Sequence, residues 1–145
     1  MQNQDSSSLI LWFLPLYFVV VWALICYAIS FVSGWHTLAR AFRTDSPPSD
    51  KLRTAGPFFY TVYMMRWSRY TGVIRITATA DGIYLSAALL LRIGHPPLFV
   101  PWEQIEISHA QKWGQQLVVL TLGKEQRVAV RISKKMAAKL DIPNA

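Results

Sequence analysis

Read for its apolar and polar positions alone, the chain changes period twice. Residues 9–32, LILWFLPLYFVVVWALICYAISFV, carry no charge. As a helix these twenty-four residues would reach about 36 Å against a hydrocarbon core of about 30 Å, which predicts one membrane crossing with some tilt. Pro15 falls near the start of the run, where a helix has few amides to lose. After Ser33-Gly34, Trp35, Leu38, Ala39 and Phe42 stand at i, i+3, i+4 and i+7, with Arg40 and Arg43 off that face. A short basic amphipathic helix is expected there, either lying along lipid headgroups or continuing the membrane helix.

Residues 44–50, TDSPPSD, read as a linker, because Pro47-Pro48 forbids helix. Beyond Gly56 the period becomes two. Ile74, Ile76 and Ala78 alternate with Arg75, Thr77 and Thr79, and Ile105 and Ile107 with Gln104, Glu106 and Ser108. Asp81-Gly82 predicts one hairpin and Gly123-Lys124-Glu125 a second, joining residues 116–122 to 127–132. Residues 58–67, FFYTVYMMRW, are read as a further strand. Ser133 offers an N-cap for a short last helix over 134–140, whose apolar face is Met136, Ala137 and Leu140. The expected core holds Ile74, Ile76, Leu85, Leu98, Val100, Ile105, Leu120 and Val130.

Charge then orients this picture. Asp5 is the lone ionisable side chain before the apolar run, and all fifteen Lys and Arg follow it, giving the remainder a formal charge of +8. Lys and Arg flanking a span stay in the cytoplasm, so the N-terminus is expected outside and the domain inside. MQNQD has no positive n-region, which argues against a cleaved signal peptide. Cys26 is the lone cysteine and lies in the apolar run, so no intrachain disulfide can form. The expected organisation is a tail over 1–8, a transmembrane helix over 9–32, a juxtamembrane segment over 33–55 and a cytoplasmic domain over 56–145.

One stretch, RIGHPPLFVPWEQIEI at 92–107, is too punctuated for a helix and too apolar for a free loop. Pro96-Pro97 suits the edge of a strand in which Leu98 and Val100 point inward. Pro101 then bends the chain and Trp102 begins the next strand. Counting back by two from Ile105 would bury Glu103, which costs more than a change of phase. A break in alternation over 101–103 is therefore expected, leaving Trp102 at least half buried and Glu103 exposed.

The runs DGIYLS at 81–86 and HPPLFVPWEQI at 95–105, followed by two strands and a terminal helix, resemble the bacterial PH-like domains. Joined to a single span, they resemble small bacterial membrane proteins built that way. The resemblance covers residues 58–142 and implies a mainly β, PH-like barrel or curved antiparallel sheet closed by the C-terminal helix. It also implies a binding or assembly module, not an enzyme. The last helix is shorter than the family's, and no basic inositol-phosphate loop is matched, so phosphoinositide binding is not implied.

Chemistry-bearing residues are sparse. The histidines at 36, 95 and 109 have no metal-ligand spacing, no nucleophile elbow occurs, and the glycines stand singly. No cofactor or metal is expected. His95 is read as fixing its turn through a backbone hydrogen bond, and Glu103 and Glu106 as solvated strand-edge charges. Arg66, Arg69 and Arg75 interleave with Trp67 and Tyr70, a pattern also used on nucleic acid, but in a tethered domain they more naturally meet anionic headgroups. Trp35, Arg40, Arg43, Arg66, Arg69 and Arg75 are thus the candidate lipid contacts, and Trp102 a structural or partner anchor. The expected partners are the bilayer and another membrane protein, not nucleic acid. The expected function is a membrane-tethered scaffold, with anionic-lipid binding as the alternative and an enzyme as a remote one.

Overall fold

The charge-free run forms α1 (Gln4–Val32), a helix of 29 residues with Pro15 inside it. The computed structural model describes residues 4–47, 49, 53–55, 61–64, 68–112 and 114–142. Residues 11–32 are long and apolar enough to cross a membrane, and most of their side chains are exposed. Ser33 and Gly34 end the helix. Gly34 takes φ 76°, a left-handed conformation that glycine reaches without steric cost, and α2 (Trp35–Phe42) follows as a separate helix.

Here the structure corrects the sequence reading. α2 neither continues α1 nor offers its apolar face to headgroups, because Trp35 and Leu38 are fully buried in the core of the β domain. An amphipathic helix needs an apolar partner, and α2 finds one in the sheet. β1 (Arg53–Ala55) also belongs to the domain, pairing with β4 (Ile74–Ala78). Both fall in the stretch assigned to a juxtamembrane segment, so the folded unit begins near Trp35, not near Gly56.

The described strands all pair antiparallel in two sheets. The first has the order β1-β4-β5-β6, with β5 (Gly82–Ala87) and β6 (Leu98–Pro101) following β4 as a meander. The second has the order β3-β2-β9-β8-β7. It is built from β2 (Thr61–Met64), β3 (Ser68–Thr71), β7 (Ile105–Lys112), β8 (Gln115–Leu122) and β9 (Val128–Ser133). Of the strand expected over 58–67, β2 is the described part; 58–60 and 65–67 lie outside the described residues.

Close approach dictates the β4–β5 turn. Thr79 bonds Gly82 through both its backbone and its hydroxyl, and a Cβ at Gly82 would lie 2.3 Å from the Val100 carbonyl of β6. From Pro101 the chain crosses between sheets through a single 3₁₀ turn at 102–104. Trp102 therefore begins that turn and not the strand, which starts at Ile105. The expected break in alternation is present: Trp102 is partly buried and Glu103 exposed.

Seven of the eight expected core residues are buried, and Ile105 packs half-buried against the same cluster. The last helix, α3 (Lys134–Leu140), packs on β1, β8 and β9 and so closes one end of both sheets. Its N-cap is Ser133, whose hydroxyl accepts from the Met136 amide at 3.3 Å.

Candidate functional site

The site is built where α1, α2 and the β5–β6 loop meet. That loop runs back along α1, with residues 89–91 in a short 3₁₀ turn. A stripe of polar atoms at four-residue spacing on α1 holds it. Trp22 donates its indole N–H to the Leu90 carbonyl at 3.1 Å, and the Cys26 thiol approaches the same oxygen at 3.9 Å. One turn nearer the domain the Ser30 hydroxyl donates to the Gly94 carbonyl, and beyond the Gly34 break Trp35 of α2 donates its indole N–H to the Pro96 carbonyl at 2.9 Å. Gly94 has φ 80°, and a Cβ there would meet the Tyr27 backbone at 3.2 Å. Only glycine lets the loop approach this closely.

His95 is fully buried against this joint, its ring 5.3 Å from that of Trp35. Burial pushes the imidazole below its ordinary pKa, and backbone hydrogen bonds at Ile93 and Leu91 offset part of that shift. The neutral ring thus holds the loop's base, in line with the turn-fixing role expected of it. His36 stacks on Phe31 at 4.3 Å and meets Tyr27 edge-on, making an aromatic platform at the end of α1.

Over this platform opens a cleft of about 410 Å³ lined by Tyr27, His36, Arg40, Arg43, Arg92 and Gly94, among others. No Asp or Glu lines it. Arg43 is exposed and reaches Asp45 at 3.6 Å, an ion pair in open solvent that constrains it little. Three arginines lining one concavity suit an oxyanion such as a phosphate, which Arg grips through its planar fork. Among the described residues no three His, Cys, Asp or Glu side chains are grouped to hold a metal ion.

The candidate residues separate accordingly. Arg40 and Arg43 come together, and Arg92, which the sequence reading passes over, joins them. Trp35 is removed as a lipid contact because it is buried and hydrogen-bonded. Arg75 is exposed on β4 in the first sheet, whereas Arg69 belongs to β3 in the second. Arg66 lies outside the described residues. Trp102 donates to the Thr79 carbonyl at 3.0 Å, and its backbone amide donates to the Asp81 carbonyl, so it locks the 102–104 turn onto the β4–β5 hairpin. The signal for the loop was present in the run ALLLRI at 88–93, whose three consecutive leucines lie between strands.

Fold and cleft together define a class of molecule: a two-sheet antiparallel domain hydrogen-bonded to a long apolar helix, with a basic concavity at the joint. No family model, curated protein or solved structure matches the chain.

Proposed function

We propose that this chain is a single-pass membrane protein with its N-terminus outside and a PH-like domain in the cytoplasm. In this reading the domain is a non-catalytic interaction module that holds an anionic lipid headgroup in the cleft between α1 and α2. One observation carries it: Arg40, Arg43 and Arg92 line one cleft beside the end of the apolar helix, the level at which phosphates of the inner leaflet would lie. The exposed apolar surface of α1 supports the span, since Trp12, Leu16, Phe18 and Leu24 are each more than half exposed and such a surface is not stable in water. The one-sided distribution of Lys and Arg supports the orientation.

Lipid retention tests the cleft. Full-length protein extracted from vesicles of mixed phosphatidylcholine and phosphatidylglycerol should carry the anionic lipid preferentially. Each basic residue near an anionic surface contributes about 1 kcal/mol, so Arg40→Gln/Arg43→Gln/Arg92→Gln should weaken retention roughly a hundredfold. Retention indifferent to headgroup charge would remove the proposal. Protease added outside intact cells should leave the domain untouched.

A second reading, assembly with another membrane protein, rests on β7. Among the described residues this eight-residue strand is an edge of the second sheet, a surface on which a partner strand can pair. A stoichiometric protein partner that survives the triple arginine substitution but not a proline in β7 would favour assembly.

A further inference from the structure

We infer that the β5–β6 loop is itself a membrane element: Leu89, Leu90 and Ile93 enter the acyl-chain region beside α1. The inference rests on α1 spanning the bilayer and adds to it a second, non-spanning insertion.

Depth is the first argument. Trp22 and Cys26 hold the Leu90 carbonyl, and Trp22 lies ten residues before the end of the apolar helix at Val32. At a rise of about 1.5 Å per residue, Trp22 is about 15 Å and Cys26 about 9 Å below the helix end, and the Leu90 carbonyl they share lies between those levels. Suppose instead that the hydrocarbon covers only the first twenty residues of the apolar run, 9–28. Trp22 would still lie about 9 Å inside it.

Surface chemistry agrees. Leu89 and Leu90 are 79% and 74% exposed and Ile93 is 49% exposed, on a loop that Trp22 and Ser30 hold against the exposed apolar helix α1. Three large aliphatic side chains displayed on one loop have no role in water, and here they form one surface with a helix that would itself be in lipid. Arg92, in the midst of them, lines the cleft with Arg40 and Arg43, and a long cationic side chain can keep its head at a membrane boundary while its stem lies along apolar surface.

The backbone gives the third argument. Irregular backbone is tolerated at membrane depth only where protein groups satisfy its polar atoms. The Leu90 and Gly94 carbonyls accept from α1 side chains, and those of Ala88, Leu89 and Arg92 accept from amides within the loop. Pro96 and Pro97 bring no N–H to satisfy. The polar stripe of Trp22, Cys26 and Ser30 is thus the means by which a chain segment lacking regular structure is taken below the headgroups.

Depth-dependent quenching tests it. Cys26→Ser, which keeps a donor, removes the native thiol; Leu90→Cys, Val20→Cys and Glu103→Cys are then introduced singly. Each is labelled with an environment-sensitive fluorophore in full-length protein, reconstituted in phosphatidylcholine–phosphatidylglycerol vesicles with brominated acyl chains. The expected result is blue-shifted emission and quenching at position 90 similar to that at position 20, with neither at 103. Quenching at 20 with position 90 behaving like 103 would overturn the insertion while leaving α1 in the membrane. Absence of quenching at 20 would overturn the span and the insertion together. Leu89→Cys reads the same depth should a label at 90 prevent folding.

Discussion

Trp22, Trp35 and Trp102 each give the indole N–H to a backbone carbonyl, of Leu90, Pro96 and Thr79 at 3.1, 2.9 and 3.0 Å. Two of them join parts of the chain that sequence distance would keep apart, α1 to the loop and α2 to the base of β6. Trp35 carries the most. Its side chain is fully buried, so Trp35→Ala should cost about 3 to 5 kcal/mol. Trp35→Phe keeps most of the ring and leaves the Pro96 carbonyl unpaired, at a cost of about 1 to 3 kcal/mol. Denaturant midpoints of the two variants in detergent check the order; equal losses would assign the whole cost to the hydrogen bond, and no loss in Trp35→Phe would show that the hydrogen bond carries nothing. Trp102, only partly buried, should on substitution by Ala lower the melting temperature without unfolding the domain.

His95 supplies a pH signature at the same scale. Its folded pKa is lowered by burial, so below its ordinary value the unfolded chain binds the proton more readily than the folded one. Its contribution is therefore complete above about pH 6.5 and declines as pH falls from there through the folded pKa. The slope it can add is at most about 1.4 kcal/mol per pH unit. His95→Gln should flatten stability against pH in that window. An unchanged slope in the variant would mean that other groups set it.

Among elements, the hairpins and last helix were legible because their determinants are local. Asp81-Gly82 and Gly123 mark turns between segments of period two, and Ser133 caps α3 from the adjacent position. Trp102 was legible by a different route, since burying Glu103 would have cost more than shifting the strand's start. The destination of α2 was not legible. Its pattern states that one face needs apolar company and cannot state whether lipid, α1 or a sheet provides it. Nor could the β5–β6 loop be placed, because its neighbours are some sixty positions away on α1. Trp22, in the middle of the apolar run, owes its polar partner to that contact. Arg92 was missed with the loop that carries it. Gly34 tests the element scale. Its φ of 76° costs a residue bearing a Cβ about 1 to 2 kcal/mol, so Gly34→Ala should destabilise the joint by that amount. Faster hydrogen exchange in α2 than in β8 would locate the damage there.

At the scale of the whole molecule, α1 and the β domain meet through backbone carbonyls more than through packing. The main hydrophobic cluster takes none of its described residues from α1, so a fragment over 33–145 should keep a cooperative fold. In water its Leu90 and Gly94 carbonyls would find solvent in place of Trp22 and Ser30. Leu89, Leu90 and Ile93 would stay exposed, and each gains about 1.5 to 3 kcal/mol on leaving water completely. The fragment should therefore bind vesicles in two separable ways. Binding to phosphatidylcholine should persist in high salt, because apolar burial is not screened. Phosphatidylglycerol should add a component through Arg40, Arg43 and Arg92 that salt removes. Leu89→Ser/Leu90→Ser/Ile93→Ser should abolish the salt-resistant part, and Arg40→Gln/Arg43→Gln/Arg92→Gln the salt-sensitive part, each leaving the other in place. Vesicle sedimentation across a salt series measures both. A folded fragment that ignores neutral vesicles, or a triple-serine variant that still binds them in high salt, would place the apolar contact somewhere other than this loop.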